Sequence, residues 1–239
     1  MMTEGNPVRP DPVRGGRVAT WMICTRRVML TLLASIVLTA PAHSAVTEPM
    51  SLQFAVYLDR NAIGEHRFEI NTSDTGARVS SHASFDINFW IFNAYRYRHE
   101  SQEIWQDGCL RAIEAVTDDN GQDYRVVGER NGDALRLLVN DAPRELTGCI
   151  MTFAYWDPNF LKQDQLLNPQ TGEFIPVQVT SHGMETVRFG DAEVPAARYT
   201  LQTDELNLDL WYSEMDGWLA LESDVGRGRI LRYERIARR

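Results

Sequence analysis

From residue 50 to the C-terminus, apolar and polar residues alternate with a period of two. Leu52, Phe54, Val56 and Leu58 take every second position of the first such stretch, which is the pattern of a strand with one buried and one exposed face. No stretch after residue 45 keeps a helical period for more than about two turns, and the best helix candidate, Pro158 to Gln165, is short. The pattern predicts an all-β domain.

Short turn sequences separate the alternating stretches. Asp118-Asp119-Asn120-Gly121 and Asn131-Gly132-Asp133 are the clearest of them, since Asn-Gly between alternating stretches is a strong hairpin signal. Turns of this kind divide the domain into about eleven strands in meander order. We expect a single strongly curved antiparallel sheet that forms an open or closed β-barrel, because closing or half-closing a sheet removes its exposed edges.

Residues 1–45 differ from the rest of the chain. Arg26-Arg27 precedes an apolar run, Val28 to Ala40, and small residues follow it up to Ser44 and Ala45. A basic start, an apolar middle and a small-residue end are the features of a secretory signal, and the run is shorter than the roughly 20 residues that cross a bilayer. We expect cleavage after Ser44 or Ala45, and a single barrel-like domain of residues 46–239 in the periplasm. The paired arginines leave both the general secretory and the twin-arginine export routes open, and the true start codon is open too, with Met22 as a second candidate.

Composition adds a constraint on partners. The whole chain is 44% hydrophobic and 24% charged, as in ordinary globular domains. Without the five basic and two acidic residues of the leader, 19 basic and 31 acidic residues remain, a net charge of −12. Such a domain repels phosphate backbones, so we expect no nucleic-acid partner.

Two cysteines remain once the leader is removed. Cys109 and Cys149 each follow a glycine at a predicted turn or strand edge. In an oxidising compartment such a pair is expected to form a disulfide, worth about 4 kcal/mol in the chain-entropy model. Two buried free thiols are the alternative.

The stretch from Tyr155 to Gly172 interrupts the hairpin rhythm. Loops this long are usually functional or disordered, and this one is too apolar for disorder. Its candidate ligand-binding residues are Tyr155, Trp156, Phe160, Leu166 and Leu167. One interpretation makes the loop a lid over an apolar ligand, and the other makes it a plug that fills the end of the barrel as core.

Three histidines lie on successive predicted strands. Hairpin pairing brings His66 near His82, and His99 near residue 83, but a slip of one residue would move a side chain to the opposite face. We expect solvent-facing histidines and no metal site.

Two further segments have alternative interpretations. The aromatic tip, Phe89 to Phe92, would contact a membrane or an envelope protein transiently if it is exposed, and is otherwise buried at a strand bend. Arg96, Arg98, Glu100 and Glu103 suggest a solvated strand face or cross-strand ion pairs, and they would line a polar cavity only if that face points inward.

Signatures of catalysis are not found in the sequence. It contains no G-x-S-x-G, H-E-x-x-H, phosphate-loop or dinucleotide motif. Asp157 with Glu173, or Asp209 with Glu222, could form carboxylate pairs, but the sequence does not place them at the separation that glycosidase chemistry requires. We therefore expect no catalytic residues and no cofactor, with an enzyme of unrecognised type as a minor alternative.

Several motifs carry a resemblance to a known family. They are Val56-Tyr57-Leu58-Asp59, Ile63-Gly64-Glu65-His66, Phe153-Ala154-Tyr155-Trp156-Asp157-Pro158, Gln165 to Glu173, Asp209-Leu210-Trp211-Tyr212, Gly217 to Ser223 and Arg232-Tyr233-Glu234. From about residue 50 onward, the chain resembles a functionally uncharacterised family of exported bacterial proteins. That family is distantly similar to periplasmic open β-barrels, including carriers of lipoproteins. The resemblance implies fold and compartment, and it brings no catalytic residues to carry over.

Two functions follow as expectations. The first is a periplasmic, non-enzymatic protein that binds an apolar or lipid-like ligand in its curved sheet, with the Tyr155 to Leu167 loop gating entry. The alternative is an assembly or interaction factor of the cell envelope, with a filled core and no ligand. The sequence does not indicate the oligomeric state.

Overall fold

The computed structural model describes residues 49–89 and 92–236, without the side chains of residues 88–94. The predicted leader, with its cleavage site, and the side chains of the predicted aromatic tip lie outside the described residues. No helix in the described ranges is long and apolar enough to cross a membrane.

Strands make up nearly all of the regular structure, as the alternation predicted. They are β1 (Met50–Leu58), β2 (Asn61–Ser73), β3 (Gly76–Phe89), β4 (Phe92–Gln106), β5 (Cys109–Asp119), β6 (Gln122–Asn131), β7 (Ala134–Val139), β8 (Ala142–Thr147), β9 (Gln165–Leu167), β10 (Phe174–Pro176), β11 (Gln178–Phe189), β12 (Ala192–Gln202), β13 (Asn207–Ser213), β14 (Gly217–Asp224) and β15 (Ile230–Arg235). The helix candidate at Pro158 is a single 3₁₀ turn, η1 (Pro158–Lys162), capped by the Asp157 side chain.

The predicted inward face of β1 is confirmed. Leu52, Phe54, Val56 and Leu58 are all buried, while the residues between them are partly exposed. The hairpin at Asn120-Gly121 is also confirmed, with a backbone φ of 54° at the asparagine and 90° at the glycine. Two successive positive φ angles are what a type I′ turn requires, and Asn and Gly tolerate them best.

Thirteen strands form one antiparallel sheet in the order β11-β12-β13-β14-β15-β1-β2-β3-β4-β5-β6-β7-β8, and β9 pairs with β10 in a separate two-stranded sheet. The prediction of about eleven strands in a single sheet is therefore wrong in number, while the antiparallel all-β architecture is confirmed. The large sheet is not closed, because β8 and β11 remain as its edges. Strand β8 was missed because nearly all of its residues are exposed, so that no apolar alternation marks it.

The sheet is strongly curved. Leu208 on β13 and Glu103 on β4 are six strand steps apart, which would separate them by about 29 Å in a flat sheet with strands about 4.8 Å apart. Both side chains nevertheless line one cavity. The sheet therefore curls around its concave face, as in an open barrel.

The segment between the two edge strands, residues 148–177, crosses this concave face, and we call it the roof segment. Its side chains supply much of the core: Ile150, Met151, Phe153, Ala154, Phe160, Leu166, Leu167 and Val177 are all buried. Backbone hydrogen bonds fix it to the sheet and to itself, from Leu110 N to Ile150 O at 2.8 Å and from Leu167 N to Met151 O at 2.8 Å. The roof segment joins one edge of the sheet to the other.

The predicted disulfide is present at the start of the roof segment. Cys109 and Cys149 are bonded, with their Cα atoms 5.1 Å apart. The bond fixes the first residues of the roof segment to the start of β5. A disulfide of this kind is compatible with an exported protein, since such bonds persist in oxidising compartments.

Candidate functional site

A cavity of about 210 Å³ lies between the concave face and the roof segment. Its position follows from the sizes of the side chains that face inward. Ser81 on β3 lies directly opposite Ser101 on β4, and both line the cavity. Their neighbours on the same rows of the sheet are Phe68 on one side and Ala115 on the other. Small side chains at the centre of the sheet leave the space that larger ones would fill.

The two sheet walls of the cavity differ in character. Strands β13 to β15 supply a mainly apolar wall, whose residues are Leu208, Leu221, Ser223, Leu231 and Tyr233. Strands β2 to β4 supply a wall rich in polar groups, whose residues are His66, Phe68, Val79, Ser81, His99, Ser101 and Glu103. The cavity therefore has one apolar side and one polar side.

His66 is the most unusual group on the polar wall. Its side chain is only 8% exposed, and it stacks on Phe68 with ring centroids 4.2 Å apart. Its Nε2 is hydrogen bonded to Ser81 Oγ at 2.7 Å, whereas its Nδ1 is buried and has no partner among the described residues. Burial holds the pKa of His66 well below its usual value of 6.5, with a further contribution from His99. The ring is neutral at pH 7, and its Nδ1 offers one hydrogen bond to a ligand.

The short contact between Ser81 and His66 resembles a nucleophile next to its base. A working pair needs a third group to orient the histidine, and among the described residues no carboxylate meets Nδ1 of His66. Burial lowers the pKa of His66, which weakens the ring as a base at neutral pH. The described residues therefore hold two members of such an arrangement, Ser81 and His66, and no orienting carboxylate at Nδ1.

His99 connects the polar wall to the roof segment. Its Nδ1 is hydrogen bonded to Thr117 Oγ1 at 2.9 Å, and that hydroxyl donates to Gln170 O at 3.2 Å. Burial, with a smaller contribution from His82, lowers the pKa of His99 to about 4. His99 is neutral and helps to hold the roof in place.

Glu103 is the one acidic side chain among the described residues that line the cavity. Its Oε2 accepts hydrogen bonds from Trp105 Nε1 at 2.9 Å and from Thr152 Oγ1 at 3.4 Å. Burial raises the pKa of Glu103 to about 7, and the two hydrogen bonds only partly oppose this rise. A carboxyl group with this pKa changes charge in the neutral range.

The solvated-face interpretation of the charged residues on β4 is wrong for Glu103. Arg96 and Arg98 do face outward, where they pair with Asp118 at 2.7 Å and with Asp86 at 2.6 Å. Glu103 is an odd number of residues away from them, so the pleat points it to the opposite, concave face, where it is only 5% exposed.

The residues predicted to bind a ligand fall into two groups. Tyr155 and Trp156 line the cavity from the roof segment. Tyr212 donates a hydrogen bond from its hydroxyl to Tyr155 O at 2.8 Å, and the Tyr155 ring lies 4.9 Å from that of Trp218. The other three, Phe160, Leu166 and Leu167, are fully buried and are not part of the cavity wall. The roof segment therefore fills part of the interior and also covers the remaining space.

The expectation of solvent-facing histidines is wrong for His66 and His99, which are buried, and right for His82, which is exposed. His66 and His99 both lie opposite Ala83, from β2 and β4 respectively, so they share the concave face. His82 points to the other face, where its Nδ1 lies 3.2 Å from Glu100. No group of three or more ligating side chains suited to a metal ion occurs in the described ranges.

The carboxylate pairs considered from the sequence lie elsewhere. Asp209 and Glu222 are opposite each other on β13 and β14, and each is paired with an arginine, Arg198 at 2.8 Å and Arg232 at 2.7 Å respectively. Such pairs neutralise the two carboxylates on the outer face. Asp157 caps η1 through a hydrogen bond from Asn159 N at 3.0 Å, and neither it nor Glu173 lines the cavity.

The sequence analysis considered His66, His99 and Glu103 but did not bring them together, and it did not single out Ser81 and Ser101. Ser81, Ser101 and Glu103 occupy positions that apolar residues normally take on an inward face. The signal was the interruption of the apolar alternation in β3 and β4, and recognising it required the strand register.

Comparisons with known proteins bear on the family and the fold. Residues 54–236 match the family DUF6134, which is described as a domain of unknown function. Among solved structures, the chain is similar to a β-barrel-like protein of the domain of unknown function DUF1849 from Brucella abortus, with a TM-score of 0.59 and 10% sequence identity over 79% of this chain and 95% of that one. None of the curated proteins matches the chain. The match to a family of unknown function confirms the resemblance on that point, and the structural similarity supports the fold alone.

Proposed function

The chain belongs to the DUF6134 family, a domain of unknown function, and we propose that it is an exported, non-enzymatic protein that binds a small amphipathic molecule inside its open barrel. The observation that carries this proposal is the roofed cavity of about 210 Å³ with one apolar and one polar wall. The disulfide supports an oxidising compartment.

The volume sets the size of the ligand. Pockets for drug-sized ligands usually measure about 300–1,000 Å³, whereas an apolar cavity of about 150 Å³ in another protein holds a benzene molecule. A cavity of about 210 Å³ suits a substituted ring or a short chain rather than a whole phospholipid. Affinity would come from apolar surface buried against Leu208, Leu221 and Tyr233, at about 25 cal/mol per Å² before the costs of binding.

The unpartnered nitrogen of His66 is a second support. A buried polar group without a hydrogen bond costs about 1–3 kcal/mol, and such groups are rare in folded proteins. A ligand that bonded Nδ1 of His66 would remove this cost. The polar wall thereby favours a ligand that carries a polar group over a pure hydrocarbon.

The alternative, an envelope interaction factor, would use the aromatic tip or an edge of the sheet, and the edges of the large sheet are β8 and β11. Pro143 lies within β8, and the pairing of β11 is irregular between Ser181 and Gly183. Proline and bulges at an edge oppose the addition of another strand. The edges therefore give this alternative weaker support than the cavity gives to a binding function.

Mass spectrometry of the protein purified from its native host tests the proposal. The expected result is a small molecule in stoichiometric amount, seen in the native spectrum and released by solvent extraction. Ser101→Leu fills the cavity and should lose this molecule. Ser80→Leu is the matched control, because Ser80 points to the outer face and bonds Gln102 there at 2.9 Å, and it should keep the molecule. A wild-type protein that carries nothing and also binds no member of a panel of fatty acids, phospholipids, and small neutral and cationic apolar compounds would contradict the proposal.

A further inference from the structure

The cavity is asymmetric in charge as well as in polarity. Among the described residues that line it, Glu103 is the one carboxyl group, and none is lysine or arginine. The other titratable side chains of the lining are His66, His99, Tyr155 and Tyr233, and burial favours the neutral form of each of them. Any formal charge on the cavity wall at neutral pH is therefore negative.

Glu103 lies at one end of the polar wall, beside the roof. The hydrogen bonds described for its carboxyl group both end on Oε2, from Trp105 and Thr152. No salt bridge to Glu103 is found in the described ranges. A buried carboxylate is costly unless it is paired with a cation, and here the protein supplies no cation. A cationic ligand would supply it.

We propose that Glu103 selects the charge of the ligand, so that the cavity accepts small apolar molecules that carry an ammonium group and refuses those that carry a carboxylate. The inference rests on the proposed binding function and specifies its substrate class. The ammonium group would pair with Glu103, while the hydrocarbon part would lie against Leu208 and Leu221. An anionic ligand, a fatty acid included, would meet the Glu103 carboxylate with no cation to offset the repulsion.

Three compounds of nearly equal size separate charge from shape. They are 2-phenylethylamine, 2-phenylethanol and phenylacetate, which are a cation, a neutral molecule and an anion with the same ring. Isothermal titration calorimetry at pH 8, where Glu103 is largely ionised, should give an affinity for the amine at least about tenfold above that for the alcohol, since hydrogen bonds to charged groups are the stronger ones. We expect no measurable binding of phenylacetate.

Two variants test the role of Glu103 itself. Glu103→Gln keeps the shape of the side chain and removes its charge, so the amine and the alcohol should then bind within about threefold of each other, at the level of an ordinary neutral contact. Glu114→Gln is the matched control, because Glu114 is on the next strand but faces outward and is exposed, and it should bind as the wild type does. Ser101→Leu should abolish binding of both compounds.

The outcomes separate this inference from the proposed function. Equal binding of the amine and the alcohol, binding of phenylacetate, or an unchanged amine preference in Glu103→Gln would overturn the charge selection and leave the binding function standing. A co-purifying anion would do the same. Failure of all three compounds, together with a wild-type protein that carries no small molecule, would overturn both.

Discussion

The pH dependence of the free energy of unfolding tests whether burial raises the pKa of Glu103. In the folded protein, burial raises its pKa from 4.5 to about 7, whereas in the unfolded chain the carboxyl group is hydrated and titrates normally. The folded state therefore binds this proton more tightly than the unfolded state does. The contribution of Glu103 to stability is complete below pH 4.5 and is lost as the pH rises through about 7.

The size of the loss follows from the two pKa values. The difference between 4.5 and about 7, at about 1.4 kcal/mol for each unit of pH, gives about 3 kcal/mol. Glu103→Gln removes the titrating group and keeps an oxygen that can accept the hydrogen bond from Trp105. Between pH 4.5 and pH 8, the free energy of unfolding of the wild type should fall by about 3 kcal/mol relative to that of the variant.

Urea unfolding of both proteins, at half-unit steps from pH 4.5 to pH 8 and with the disulfide intact, measures this difference directly. His66 and His99 titrate in both proteins, so their contributions largely cancel in the comparison. Glu114→Gln serves as the control. Because Glu114 is exposed, the free energy of unfolding of this variant should stay within about 0.5 kcal/mol of the wild-type value across the pH range. If the free energies of unfolding of wild type and Glu103→Gln differ by the same amount at every pH from 4.5 to 8, burial does not raise the pKa of Glu103.

Three further predictions concern the roof segment. Phe160→Ala should lower the free energy of unfolding by about 3–5 kcal/mol, because the Phe160 ring is fully buried. Lys162 is exposed, so the control Lys162→Ala should change it by less than about 0.5 kcal/mol. Equal effects of the two variants in urea unfolding would show that the ring adds little to the core. Replacing Cys109 and Cys149 with serine should cost about 4 kcal/mol, because the bond closes a loop with a sequence separation of 40, and a loss below about 1 kcal/mol would mean that packing alone holds the roof. The pKa of His99, which contacts the roof through Thr117, is lowered from 6.5 to about 4, so its contribution to stability is present above pH 6.5 and lost as the pH falls through about 4. In His99→Gln, the free energy of unfolding should therefore fall by about 3 kcal/mol less than in the wild type over this pH range. Acid-unfolding curves that run parallel for the two proteins would contradict this.

The sequence was sufficient to predict strands where one face is buried and the other is exposed. The inward face of β1 and the hairpin at Asn120-Gly121 follow from local rules, since alternation and turn chemistry act within a few residues. Strand β8 carries no such pattern because it is an edge with nearly every side chain in solvent. The short strands β9 and β10 exist through the contacts of the roof segment rather than through their own sequence.

The candidate site was only partly predictable, for a different reason. The apolar loop around Tyr155 drew attention to the right segment, because a long apolar connection needs an explanation. The polar wall depends on register between strands that are distant in the chain: His66 and His99 meet across Ala83, while His82 points away. A shift of one residue would exchange these faces, and no local feature of the sequence fixes that shift.

The pairing of β1 with β15, in which Phe54 lies opposite Arg235, has a consequence for how the protein folds. Strand β1 can pair with β15 only after the last strand of the domain has been synthesised. The boundary between the first and last strands therefore runs through the middle of the sheet. Each of the two meanders, β1 to β8 and β11 to β15, can form from neighbouring hairpins, but joining them requires closing a loop of nearly the whole domain. We expect this step to come late and to set the folding rate in the slow range of high-contact-order β proteins.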